Sequence, residues 1–259
     1  MFLTQSFPEG PRAPRDRILI VLHQERSSPG RIGLGLMARG FRLDIRRPAL
    51  GDPLPASLDG YAGAVIFGGP MSANDPDDFI RREIDWIAVP LKEKVPFLGV
   101  CLGAQMLARQ LGATVAPHAH GCGEIGYYPL RPTAAGERMF HWPRQVYHWH
   151  SEGFALPTGA ELLAEGEMFP NQAMKVGPCA YGIQFHPELT FAMMNRWAHS
   201  ASQRVLPPGA QPGATHVANR FVYDGPVRAW LDAFLDHWSG REKPAGAVTD
   251  RSVPAQSAI

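Results

Sequence analysis

Two segments of this chain hold side chains whose types and spacing could do nucleophilic chemistry. In the first, Cys101 sits in the pentapeptide G-V-C-L-G, with Gly99 and Gly103 two residues away on either side. An apolar run (Val95, Phe97, Leu98, Val100) leads into it. Leu102, Met106 and Leu107 then recur at helical spacing, with Gly112 as a stop. The pattern is a buried strand, a tight turn and a helix, with a thiol on the turn. A turn of this kind lifts a nucleophile out of the sheet and leaves little room for neighbouring side chains, which is what the glycines of a G-x-S-x-G elbow provide. The helix N-terminus favours a thiolate and offers free N–H groups, that of Leu102 first, to an oxyanion. The plainer alternative is a buried structural cysteine, a common fate of a free thiol.

The second segment is YGIQFHPELT, Tyr181 to Thr190. His186 and Glu188 are two residues apart, so on an extended segment they share a side. A carboxylate beside an imidazole fixes its tautomer and stabilises its protonated form, completing a nucleophile, base and orienter. A solvated His-Pro-Glu turn is the alternative. A third feature is the glycine pair Gly68-Gly69, which closes GAVIFGG and lets backbone approach a ligand closely.

These residues need elements to hold them. RILIVLH (Arg17 to His23) reads as a buried strand. Ser28 and Pro29 open a helix that runs to about Arg39 and stops at Gly40, and FRLDIRR (Phe41 to Arg47) alternates as a second strand. After GAVIFGG, the acidic MSANDPDD caps one long helix with Ile80, Ile84, Ile87 and Leu91 on a single face. Strands alternating with helices predict a mostly parallel sheet covered on both sides, with ligands at the carboxyl ends of the strands. Gly68-Gly69 and Cys101 both fall at such ends.

From Ala113 to Glu188 the pieces EIGYYPL, RQVYHWH, ELLAEGE, QAMKVGP and AYGIQFH predict an antiparallel or mixed extension of that sheet. A helix over about 192–203 follows, then a long loop over 206–224. A last amphipathic helix carries Val227, Trp230, Leu231, Phe234, Leu235 and Trp238. Residues 1–16 read as an irregular arm, 17–239 as the folded domain and 240–259 as a disordered tail.

Composition narrows the function classes. The chain has 259 residues, 45% hydrophobic and 19% charged, with a formal net charge of +1. That balance does not point to a nucleic-acid partner. No apolar run reaches membrane-spanning length, and the N-terminus lacks the layout of a secretory signal. Three cysteines without repeated spacing fit free thiols in a reducing compartment, so a cytoplasmic location is expected. His118, His120 and Cys122, and likewise His141, His148 and His150, have no recognised zinc spacing, and neither a metal nor a cofactor is expected. GRIGLG at Gly30 to Gly35 lacks the order of a dinucleotide loop and falls inside a helical pattern.

Taken together, GVCLGAQ around Cys101, GIQFHPE around His186 and Glu188, and FGGPMS at Phe67 to Ser72 resemble the class I, triad-type glutamine amidotransferases. EIGYYPL and VYHWHSE are similar to stand-alone relatives of the glutaminase domain of GMP synthetase. The resemblance spans roughly residues 17 to 239. It implies an α/β, flavodoxin-like three-layer fold. It also implies hydrolysis of a γ-glutamyl amide, glutamine to glutamate and ammonia, through a thioester on Cys101. In that scheme His186 moves protons, Glu188 orients it, and the amides of Gly69 and Leu102 hold the oxyanion. Gln105 helps to hold the amino-acid end of the substrate. Relatives commonly have Gly and Asp where this chain has Ser151 and Glu152, in a segment that lines the family's substrate pocket. Such domains serve a synthetase that consumes the ammonia, so a separate synthetase subunit is a possible partner. A free-standing γ-glutamyl peptidase or hydrolase, and a regulatory binding module with little turnover, are the alternatives.

Overall fold

A computed structural model of the chain describes residues 15–244. Residues 1–14 of the expected arm and 245–259 of the expected tail lie outside the described residues. Five parallel strands form one side of the main sheet: β1 (Arg17–Val21), β2 (Arg42–Arg46), β3 (Tyr61–Ile66), β4 (Phe97–Val100) and β12 (Ala180–Ile183). Antiparallel strands β11 (Ala173–Val176), β10 (Glu161–Glu165) and β7 (Arg131–Pro132) continue it, giving the order β2-β1-β3-β4-β12-β11-β10-β7.

Strand periodicity builds the two faces. Ile18, Ile20, Val65, Leu98 and Val100 pack on one side against Ile32 and Leu36 of α1 (Gly30–Ala38) and Trp230, Phe234 and Leu235 of α7 (Gly213–Ser239). Leu19, Val21, Ala64, Ile66 and Phe97 pack on the other, against α2 (Asp78–Trp86), α3 (Ala88–Glu93) and α4 (Leu102–Gln110). The result is a three-layer, flavodoxin-like α/β fold. No helix among the described residues is long and apolar enough to cross a membrane.

Three expectations change. The single helix over 80–91 is two, α2 and α3, meeting at Ile87. Pro90 lacks the N–H that would bond residue 86 and crowds that carbonyl, so the helix cannot run through unbroken. EIGYYPL and RQVYHWH do not extend the main sheet. They form β6 (Glu124–Pro129) and β8 (Gln145–His150), an antiparallel pair of their own, as do β5 (Val115–Pro117) and β9 (Glu152–Phe154). Tyr127 and Tyr147 of that first pair pack on Met193 and Met194 of α6 (Phe191–Ser202).

The third change is the long loop over 206–224, which is a loop only as far as Pro212, since α7 begins at Gly213. Gly225, Pro226 and the prolines at 207, 208 and 212 read as breakers, but tertiary contacts override them. His216 is fully buried, accepting from the Tyr147 hydroxyl at 3.1 Å and donating to the Gln211 carbonyl at 2.9 Å. Asp224 pairs with the buried Arg31, Oδ2 to Nη2 at 2.7 Å.

Candidate functional site

Cys101 lies between β4 and α4 with φ 52° and ψ −105°, a left-handed backbone conformation that costs a non-glycine residue about 1–3 kcal/mol. The flanking glycines are what makes that turn possible. A Cβ on Gly99 would stand 2.4 Å from the Gly103 backbone, and one on Gly103 would stand 2.1 Å from the Ile66 carbonyl oxygen. The Cys101 amide donates to the Ile183 carbonyl at 2.7 Å, tying the turn to β12. The strand that presents the thiol thus neighbours the strand that leads to His186.

His186 and Glu188 follow β12. The His186 amide donates to the Tyr147 carbonyl at 2.8 Å, and Nδ1 meets Glu188 Oε1 at 2.8 Å, both side chains being buried. With Nδ1 committed to the carboxylate, Nε2 is left without a hydrogen-bond partner. Burial alone would lower the imidazole. The Glu188 carboxylate and the Cys101 sulfur act the other way and prevail, raising it to about 10. Trp197 of α6 packs edge-on to the ring, centroids 5.0 Å apart.

Gly68 and Gly69 follow β3 and complete the enclosure. A Cβ on Gly68 would be 2.9 Å from His186 Cε1 and 3.8 Å from Cys101 Sγ, so the absence of a side chain there lets thiol and imidazole share the space. His23, at the end of β1, supports this loop. Its Nδ1 donates to the Gly68 carbonyl at 3.1 Å and its Nε2 meets the buried carboxylate of Glu83 at 2.9 Å. Among the described hydrogen bonds, neither the Gly69 nor the Leu102 amide donates to a protein acceptor. Such amides can take up negative charge developing on a substrate oxygen.

Glu188 is held through its backbone as well. Its carbonyl accepts from the Arg31 amide at 2.8 Å, and a Cβ on Gly30, at φ 52°, would stand 2.1 Å from that oxygen. The next carbonyl, Leu189, accepts from the buried guanidinium of Arg220 on α7 at 3.1 Å. The first glycine of GRIGLG is thus a close-approach position beneath Glu188.

A cavity of about 550 Å³ opens over Cys101, His186, Glu188 and the Gly68-Gly69 loop. Gln105, Ser151 and Glu152 are not among the residues that line it. Gln105 Nε2 donates to the Glu152 carbonyl at 2.9 Å, and the Glu152 carboxylate accepts from Ser72 Oγ at 2.6 Å, so these groups brace the FGGPMS loop against α4 and β9. Ser151 is exposed. The cavity instead takes in Trp149, Met193, Arg196, Trp197 and Arg204, of which sequence reasoning had placed none in the site.

His148 and His150 share a face of β8, and they meet Glu124 rather than His141. His148 Nδ1 lies 3.1 Å from His150 Nε2, which lies 3.0 Å from Glu124 Oε2. This is the one group among the described residues with ligand atoms close enough to hold an ion. Its edges are hydrogen-bond lengths, and burial holds His148 well below the ordinary histidine range.

A strained cysteine at a strand-to-helix turn and a carboxylate-bound imidazole, both at the carboxyl ends of parallel strands, define a class of α/β proteins equipped for thiol-based acyl transfer. Residues 34–196 match the profile of the family described as Glutamine amidotransferase class-I. This chain belongs to that family. It is 33% identical over 225 residues to the glutamine amidotransferase-like protein YfeJ of Salmonella typhimurium, covering 83% of this chain and 90% of that protein. It is 34% identical over 139 residues to the glutamine-hydrolysing GMP synthase of Porphyromonas gingivalis, covering 52% of this chain and 26% of that much longer protein. Among solved structures, a glutamine amidotransferase from Methylobacillus flagellatus superposes with a TM-score of 0.80 at 25% identity, over 88% of this chain and 96% of the other. One from Thermotoga maritima gives 0.77 at 27%, over 88% and 99%.

Proposed function

We propose that this protein hydrolyses the side-chain amide of a γ-glutamyl compound, with glutamine as the simplest substrate, through a thioester on Cys101. The observation that carries this reading is the set Cys101–His186–Glu188, with the imidazole Nδ1 bound to the carboxylate and Nε2 left for the reaction.

In this mechanism His186 is the imidazolium partner of a Cys101 thiolate. The thiolate attacks the γ-carbonyl carbon, and the amides of Gly69 and Leu102 take up the charge on the oxygen. His186 Nε2 gives its proton to the leaving nitrogen as the C–N bond breaks, leaving a γ-glutamyl thioester. A water molecule then gives a proton back to Nε2 as its oxygen attacks the thioester carbonyl, and glutamate leaves as the thiolate re-forms. Glu188 keeps Nδ1 protonated throughout and stabilises the imidazolium. Neither a metal nor a cofactor has a role in these steps.

The test is release of glutamate and ammonia or amine by the purified chain, offered glutamine and a small set of γ-glutamyl amides. Turnover that disappears in Cys101→Ala supports the reading. No turnover, with Cys101 readily alkylated by a glutamine-like electrophile, indicates a competent site that waits for a synthetase partner. No turnover and an inert Cys101 overturns the reading in favour of a binding module.

A further inference from the structure

The charges around the cavity are out of balance for glutamine. Besides His186 and Glu188, which are committed to each other, its lining carries three guanidinium groups, Arg26, Arg196 and Arg204, and one carboxylate, Glu25. All four are exposed, and none makes an ion pair among the described residues. A γ-glutamyl group brings one α-ammonium and one α-carboxylate. Glu25 and one arginine answer those two charges, and two arginines remain without a counter-charge.

Their placement says which end of the substrate they face. The leaving nitrogen receives its proton from His186 Nε2, so it lies against that imidazole. Trp197 packs edge-on to the same ring, and Arg196 precedes it on α6. Arg196 and Ser200 are four apart on one face of α6, Arg204 follows two residues past the end of that helix, and all three line the cavity. Glu25 and Arg26 belong to the loop after β1, a different element of the cavity lining. The cavity's size agrees with a substrate longer than one amino acid, because pockets of about 300–1,000 Å³ enclose drug-sized ligands.

We propose that the leaving amine of the preferred substrate carries a carboxylate, recognised by Arg196 and Arg204, so that the substrate is a γ-glutamyl amino acid or γ-glutamyl peptide. This rests on the hydrolytic reading for its chemistry. The γ-glutamyl C–N bond breaks, His186 supplies the proton to the departing amino group, and water completes glutamate. The products are glutamate and an amino acid or shorter peptide in place of ammonia. Guanidinium groups suit the role because their fork matches a carboxylate with two hydrogen bonds.

The discriminating pair is γ-glutamylglycine and γ-glutamylglycinamide, which differ in the charge of one terminal group. Calorimetric binding to the full-length Cys101→Ala protein should favour the carboxylate by about ten-fold, the lower end of a charged hydrogen bond because these arginines face solvent. The double substitution Arg196→Gln, Arg204→Gln should bring that ratio close to one. With the active protein, kcat/KM should show the same preference, carried mainly in KM. Equal binding of the two ligands, or a preference that survives the double substitution, overturns the inference. Selective binding with no hydrolysis of any γ-glutamyl amide and a Cys101 inert to a glutamine-like electrophile supports the carboxylate preference and overturns the hydrolytic reading beneath it.

Discussion

The backbone carbonyl of Glu188 accepts a hydrogen bond from the Arg31 amide at 2.8 Å, so the first turn of α1 fixes the residue that orients His186. Gly30 permits this approach, since a Cβ would stand 2.1 Å from the same oxygen. Gly30→Ala should therefore displace the His186–Glu188 segment. At φ 52° it also adds backbone strain of about 1 kcal/mol or more. The expected outcome is a kcat loss of at least about ten-fold with a smaller change in KM. Steady-state kinetics alongside circular dichroism of the folded protein will check it.

Removing the charge of Glu188 tests the electrostatics. His186 is raised to about 10 with Glu188 as the main favourable partner. The alkaline limb of the kcat/KM profile, where His186 loses its proton, should therefore lie near that value in the native protein. Glu188→Gln should move it toward lower pH, because the imidazolium loses its partner. The same shift contributes to stability. The folded value lies above the ordinary 6.5, so the contribution is complete below about pH 6.5 and is lost as pH rises through about 10. Urea midpoints at pH 6 and pH 10, compared between the native protein and His186→Gln, should converge at the higher pH.

Glu83 is buried and does not line the cavity, yet it holds His23 against the Gly68 carbonyl. Glu83→Gln should loosen the loop that carries the Gly69 amide and lower kcat by about ten- to a hundred-fold, with KM little changed. Loss of an oxyanion donor outright costs about 10²–10³ in kcat. Single-turnover measurements of acylation will show whether that step carries the loss.

Asp224 tests the helix that replaces the expected loop. Its carboxylate pairs with the buried guanidinium of Arg31, and it also lies 3.5 Å from Arg220. Asp224→Ala leaves those charges less compensated and should destabilise the fold by about 3 kcal/mol, read from urea unfolding.

Much of this architecture was legible in the chain. The strand–turn–helix around Cys101 was readable because glycines at fixed offsets have one steric purpose there. The His186–Glu188 pair was readable because adjacent titratable groups with complementary roles form a local pattern. What escaped were contacts between residues remote in sequence. His23 and Glu83, 60 residues apart, meet only once β1 and α2 are in place. Gly30 falls inside a helical pattern, and nothing near it in sequence signals that Glu188 crosses above it. The helix over 213–224 is held by contacts that no local pattern announces, those of buried His216 and of Asp224 with Arg31. Gln105, Ser151 and Glu152 entered by resemblance alone, and the cavity opens away from them, toward α6.

The central claim is a covalent γ-glutamyl intermediate on Cys101. The measurement that reaches it most directly is acid quenching during turnover of a γ-glutamyl amide, followed by mass spectrometry of the peptide that contains Cys101. A γ-glutamyl adduct is expected on that peptide, larger in the early turnovers when deacylation is slow, and none in Cys101→Ala. Glutamate release that persists in Cys101→Ala, or turnover with the adduct on Cys122 or Cys179, would contradict it.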